Sequence, residues 1–140
     1  MGAAIKLVPV MLYILIGVIS LIMAIKCLFS KEFLPFHEKA CGKPWNEIED
    51  RLKPVILSFM RLSGLGFLIV SMMLLVFPVV NYFISNIFYK YSVPALALIF
   101  CTGLFMINYS LYKATKADTP WKGSLFAMFV VAAGIGISII

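Results

Sequence analysis

Four long stretches without a single charged side chain constrain this chain more than anything else in it: residues 7–25, 62–89, 91–112 and 123–140. Each reaches or exceeds the roughly 18–20 apolar residues that a helix needs to cross a ~30 Å hydrocarbon core. Inside a bilayer only helices and closed barrels satisfy their own backbone groups, and runs of this length without alternation belong to helices. The pattern therefore predicts an all-α fold, an integral membrane four-helix bundle with an interfacial helical first loop. It forms one domain, 1–140, with spans at about 7–29, 54–80, 92–112 and 122–140 and loops at 30–53 and 113–121. Hydrophobic residues make up 63% and charged residues 13%, far from the usual soluble balance of about 45–50% and about 25%, so the bilayer is the expected solvent.

The first stretch follows Lys6 and invites comparison with a cleaved signal. It is longer than a signal's apolar core and ends at Lys26, Cys27 and Lys31 with no small-x-small cleavage pattern, so it reads as the first span. Ten of the twelve basic residues, Lys26, Lys31, Lys39, Lys43, Arg51, Lys53, Arg61, Lys113, Lys116 and Lys122, belong to the first and third loops or their margins. Only Lys6 and Lys90 belong to the other side. The positive-inside bias then puts both loops in the cytoplasm and both termini outside. The same bias, with anionic cytoplasmic lipid as partner, accounts for the net charge of +6 without nucleic acid. The first loop also holds five of the six acids, Glu32, Glu38, Glu47, Glu49 and Asp50, so it is no polybasic clamp.

Proline and glycine punctuate the chain. Phe33-Leu34-Pro35-Phe36 reads as a segment lying in the interface, and Gly42-Lys43-Pro44 ends it. A helix is expected from Pro44, because proline suits the first helical position and Glu47, Glu49 and Asp50 suit a positive dipole end. It is expected to run with a kink through Pro54 into the second span. Pro78 should end or bend that span, Asn81, Tyr82, Phe83, Phe88, Tyr89 and Tyr91 should form an outer aromatic hairpin, and Pro94 should fall in the first turn of the third span. Small residues at four-residue spacing let helices approach closely in lipid. Ser20 and Ala24 have that spacing, as do Gly123 and Ala127, Ala132 and Gly136, and Gly134 and Ser138. The fourth helix is thus the expected seam, within the bundle or toward a second copy or partner subunit through Ala132 and Gly136. Lys43-Pro44-Trp45 and Thr119-Pro120-Trp121 precede returning helices; the repetition needs no duplication, since proline starts helices and tryptophan anchors at interfaces.

Chemistry-bearing residues are few. No acid lies within a span, which argues against a proton-coupled exporter relying on an intramembrane carboxylate. His37 is the only histidine, so no bis-histidine haem, no multi-histidine zinc site and no cofactor is expected. Cys27, Cys41 and Cys101 form no C-x-x-C pair, and the cytoplasmic side does not favour disulfides. Arg61 stands out as the one basic residue placed within a span rather than at its margin, and a mid-membrane arginine costs ~2.5–3.5 kcal/mol unless it snorkels or is paired. Its depth matches that of Asn108 in the third span. Ser58 shares its helix face, and Cys101, Phe105, Asn108 and Tyr112 form one stripe. Glu47, Glu49, Asp50, Asp118 or a phosphate are its candidate partners. The reading that follows is a non-enzymatic membrane protein whose cytoplasmic face holds a lipid headgroup, a small ligand or a partner subunit. The expected binding residues are Arg61, Asn108, His37, Trp45, Trp121, Ser58 and Tyr112. The alternatives are an oligomeric small transporter or channel, and a lipid-modifying enzyme with His37 and Glu38 as acid and base.

Across residues 33–66 the run F-L-P-F-H-E-K-A-C-G-K-P-W-N-E-I, followed by M-R-L-S-G-L-G, resembles a group of small bacterial four-helix membrane proteins. The shared features are a phenylalanine-histidine pair, a glycine three positions before a tryptophan, and an arginine ahead of a glycine-rich helix. Thr119-Pro120-Trp121 extends the resemblance. It implies a bacterial inner-membrane location and a connected cytoplasmic-face structure of His37, Gly42, Trp45, Arg61 and Trp121, and it implies no activity.

Overall fold

The computed structural model describes residues 2–84 and 87–139, with side chains described for all of these but 2–6, 78, 82 and 89. The described residues form helices and no strand. In chain order these are α1 (Gly2–Phe29), α2 (Pro35–Cys41), a single 3-10 turn (Trp45–Glu47), α3 (Leu52–Ile84), α4 (Ile87–Thr115) and α5 (Trp121–Ile139). Four of them contain segments long and apolar enough to cross a membrane: Leu7–Phe29, Leu52–Asn81, Lys90–Thr115 and Trp121–Ile139.

These four helices pack as a closed ring. Helix α1 lies chiefly against α3 and α5, and α4 against α3 and α5. One end of the ring carries the connections 30–51 and 116–120; the other carries the start of α1, the end of α3, the start of α4 and the end of α5. Short α2 leaves the end of α1 and packs against α4, so the first connection crosses the end of the bundle.

Small residues decide how closely the helices meet. A Cβ on Gly64 would lie 2.9 Å from Leu28 and 3.1 Å from the Leu28 backbone nitrogen, and one on Gly17 3.0 Å from Leu75. The α1–α3 contact is therefore near-backbone contact, with Ser20, Ala24 and Ser71 also buried along it. Near the other end a Cβ on Gly134 would sit 2.6 Å from the Tyr13 ring. That ring, with Ile16, Val70, Leu74, Phe77, Ala97, Cys101 and Val131, makes the buried core, and meets Phe77 edge-on at 6.0 Å. Of the three small-residue pairs on α5 only Gly134 with Ser138 turns inward. Gly123 and Gly136 have nothing within 4 Å of a Cβ, and Ala132 is exposed.

The helix boundaries correct several expectations. No helix runs from Pro44 through Pro54: the 3-10 turn ends at Glu47, and α3 begins anew at Leu52, where the amides of Leu52 and Lys53 donate to the Glu49 carbonyl. Pro54 then falls in a first turn, where its missing N–H has no intrahelical partner to lose, and no kink is needed there. Of the two outcomes expected at Pro78, an end or a bend, the end is excluded, since α3 continues to Ile84. Pro94 lies inside α4 rather than in its first turn, because that helix starts at Ile87. Helix α1 likewise starts at Gly2 and carries Pro9 inside it. Of the expected outer hairpin, residues 85–86 and the Tyr82 and Tyr89 side chains lie outside the described residues, as does the Pro78 side chain.

Candidate functional site at the loop end of the bundle

The first connection is built by three local signals. Pro35 opens α2 in its first turn after an extended Leu34, and the Gly42 amide closes it on the Glu38 carbonyl with Gly42 at φ 65°. A residue with a Cβ strains in that left-handed conformation, so glycine is the natural helix stop. Pro44, extended again, opens the turn at Trp45. The chain thus folds back on itself, and Phe33 becomes buried with its ring edge-on to Trp45 at 4.9 Å. His37 lies 4.0 Å from Phe36 and 6.1 Å from Phe33, ring centre to ring centre. Its Nδ1 is buried with no hydrogen-bond partner, and burial holds its proton affinity below the ordinary histidine value.

Between this folded segment and the end of α1 lies an open cleft of about 550 Å³, lined by Ser30, Glu32, Phe33, Leu34, Pro35, Glu38, Trp45 and Asn46. A second, of about 430 Å³, adjoins it on the far side of Glu38, where Lys39 and Lys43 contribute to the wall. The Ser30 hydroxyl donates to the Glu32 carbonyl at 2.6 Å, which fixes the lip of the first cleft. The ion pair formed among the described residues, Lys53 with Asp50 at 2.7 Å, lies further along the connection and holds the exposed Asp50 carboxyl below its usual range.

The other connection at this end is closed by hydrogen bonds. The Asn108 amide donates to the Ser124 hydroxyl at 2.9 Å, and the Thr119 hydroxyl donates to the Asn108 carbonyl at 3.0 Å. The Ser124 hydroxyl reaches back to the Pro120 carbonyl at 3.2 Å. All three polar side chains are buried. Beside them Trp121 meets Tyr109 and Tyr112, each at 5.7 Å, and Lys116 ends α4 with φ 58° while its ammonium lies over the Tyr112 ring at 5.9 Å.

The structure thus distributes the expected site residues among three places. His37 and Trp45 belong to the first connection; Asn108, Tyr112 and Trp121 belong to the α4–α5 corner; Arg61 and Ser58 are exposed on α3. Arg61 makes no hydrogen bond or ion pair with the described residues, and the Ser58 hydroxyl folds back on the Pro54 carbonyl at 2.8 Å. Asn108 donates its amide N–H to Ser124, and no hydrogen bond joins it to Arg61 among the described residues. None of the four acids named as partners for Arg61 pairs with it, and Asp50 is held by Lys53.

Sequence reasoning missed Glu32, Phe33 and Asn46 as cleft residues; the signal was the spacing of Pro35, Gly42 and Pro44, which delimits a short helix that has to turn back. It also missed Thr119 and Ser124 as partners for Asn108. At the opposite end it counted Lys90 only as a charge. There the Lys90 ammonium and the Tyr91 hydroxyl both donate to the Ser138 carbonyl, at 2.9 and 3.3 Å, closing the end of α5. Among the described residues no three histidine, cysteine or acidic side chains gather to hold a metal. Comparison with family models, curated proteins and solved structures finds no match to this chain.

Proposed function

We propose that this chain is a multi-pass membrane protein of a bacterial inner membrane, with both termini outside. Its cytoplasmic end offers a non-enzymatic polar site for a lipid headgroup, a small ligand or a partner subunit. The observation that carries the reading is the first connection. It crosses the end of the bundle and opens a cleft whose walls combine two aromatic rings with carboxylates that are unpaired among the described residues. A connection needed only to join two spans has no use for such a fold. The surface elsewhere supports a lipid surround: Met11, Phe59, Leu62, Ile69, Ile99, Met106, Phe129 and many other large apolar side chains point outward from all four spanning helices, far beyond the patch size usual on a soluble monomer.

Site and orientation are tested separately. Gentle extraction followed by native mass spectrometry should retain a bound lipid, small molecule or subunit; a bare monomer under conditions that preserve lipid on other membrane proteins would overturn the site. For orientation, Cys41 is exposed while Cys27 and Cys101 are buried, so a membrane-impermeant thiol reagent should label Cys41 only after the cells are opened. Labelling of intact cells would invert the topology.

An assembly reading rests on a different observation. The exposed Ala132 and the open Gly136 on α5 leave an unfilled small-residue surface, which suits a second copy or a partner helix. Gly136→Leu should leave the monomer's melting temperature unchanged and reduce the size of any oligomer; no change in size would leave that surface to lipid.

A further inference from the structure

The two adjoining clefts differ in charge, and the difference is sharp. The charged residues lining the larger one are Glu32 and Glu38, with the Trp45 and Phe33 rings beside them. The smaller one shares Glu38 and Pro35 but adds Lys39 and Lys43. All four charged side chains are exposed, and among the described residues none is engaged in an ion pair. Carboxylates next to an indole face make a setting for an organic ammonium group, which gains from both the charge and the ring quadrupole. A bare metal ion would need three or more hard donors, and no such group gathers here. The lysines on the other side of Glu38 suit a phosphate as point charges.

Resting on the polar-site reading above, we infer that these clefts together hold the headgroup of a zwitterionic phospholipid. Its primary ammonium lies between Glu32 and Glu38 against Trp45, and its phosphate lies toward Lys39 and Lys43. A lipid is favoured over a free zwitterion by position. The cleft starts at Ser30, directly after a span whose last residue, Phe29, is 77% exposed, so acyl chains can lie along apolar surface while the headgroup turns into the connection. Positive and negative groups kept apart at one site also explain why this connection carries balanced charges rather than a basic excess.

The test is native mass spectrometry of the purified full chain from nanodiscs containing equal amounts of phosphatidylethanolamine and phosphatidylglycerol. The parent should retain one phosphatidylethanolamine in preference to phosphatidylglycerol. The E32Q/E38Q double variant should lose that retention at least tenfold while melting as the parent does, because both side chains are exposed and glutamine keeps their shape. Should the double variant fold poorly, E38Q alone should weaken retention severalfold. Equal retention of the two lipids by the parent, or parental retention by either well-folded variant, overturns the inference. Preferential retention of phosphatidylglycerol defeats the ammonium assignment and leaves the polar-site reading standing; retention of neither lipid defeats both. Free phosphoethanolamine binding as tightly as the lipid would overturn the lipid as occupant.

Discussion

The two connections at the loop end of the bundle start from the same ingredients and finish differently. Each has a proline followed by tryptophan, and in each the tryptophan begins a helical turn beside another aromatic ring. The α4–α5 corner is short, and its buried polar side chains are consumed: Asn108, Thr119 and Ser124 bond one another or nearby carbonyls. The 30–51 connection is long, and its charges are left over. Among the described residues Glu32, Glu38, Lys39 and Lys43 have no ion-pair partner, and the rings beneath them leave a cleft. A buried polar group without a partner is costly, so a closed corner must use what it has; a connection whose charges reach solvent is under no such demand and can keep them for a ligand. The closed corner is therefore where stability should respond to mutation, and the open one where binding should.

The largest effect should come from the helix that the closed corner anchors. Gly134→Leu puts a branched side chain where even a Cβ would be 2.6 Å from the buried Tyr13 ring. Overpacking of this kind costs ~1–3 kcal/mol, and more where backbones must separate. The melting temperature in detergent should fall steeply, while Gly136→Leu, two positions away, should leave it alone. A parental melt for Gly134→Leu would mean that α5 is not seated on α1.

Next is the corner itself. Asn108→Leu removes the donor to Ser124 in an interior where side-chain hydrogen bonds between helices average ~0.6 kcal/mol and reach ~1.7. A loss toward the upper value is expected, because the Ser124 hydroxyl is left without that donor. Thr119→Val should cost less, and the double substitution less than the two losses added, since Thr119 bonds the backbone carbonyl of the residue whose side chain bonds Ser124, so that losing either contact loosens the seat of the other. E32Q/E38Q should cost nothing by the same melt. Additive losses at Asn108 and Thr119 would dissolve the corner as a unit and with it the contrast between the two connections.

How far the sequence reveals each region follows from this contrast. The four long apolar helices are legible because apolar length is a one-dimensional signal. The bounds of α3 and α4 are less so: a proline reads as a stop in a sequence, yet Pro94 is carried inside a helix. Which polar groups pair is hardly legible at all. The pairing of Asn108 with Ser124 rather than Arg61 depends on which two helices adjoin, and matching depth narrows the choice without making it.

A smaller effect tests whether the open connection is a settled fold. Burial lowers the proton affinity of His37 from the ordinary 6.5. Near and just below that pH the unfolded chain binds more protons at this position than the folded one, so stability rises with pH there. The contribution of His37 should be complete above 6.5 and fade as the pH falls toward its lower folded value. Melting curves between pH 7 and pH 5 should show this decline, and His37→Gln should flatten it; an unchanged slope would mean that the ring is not held among Phe33 and Phe36.

The smallest effect is expected at Arg61, where sequence reasoning weighed a phosphate or carboxylate clamp against simple snorkelling. The structure leaves its side chain exposed on α3, with no hydrogen bond or ion pair to the described residues, Asn108 included. An exposed arginine on an apolar helix face lays its stem along the helix and sends its charge to the headgroups, a task lysine performs with a stem of similar length. Arg61→Lys should therefore match the parent in melting temperature and in lipid retention, in contrast to E32Q/E38Q, which should lose lipid with an unchanged melt. A lysine variant that melts normally yet loses bound lipid would show the planar fork of arginine at work on a phosphate. The binding surface would then have to extend from the first connection onto the outer face of α3.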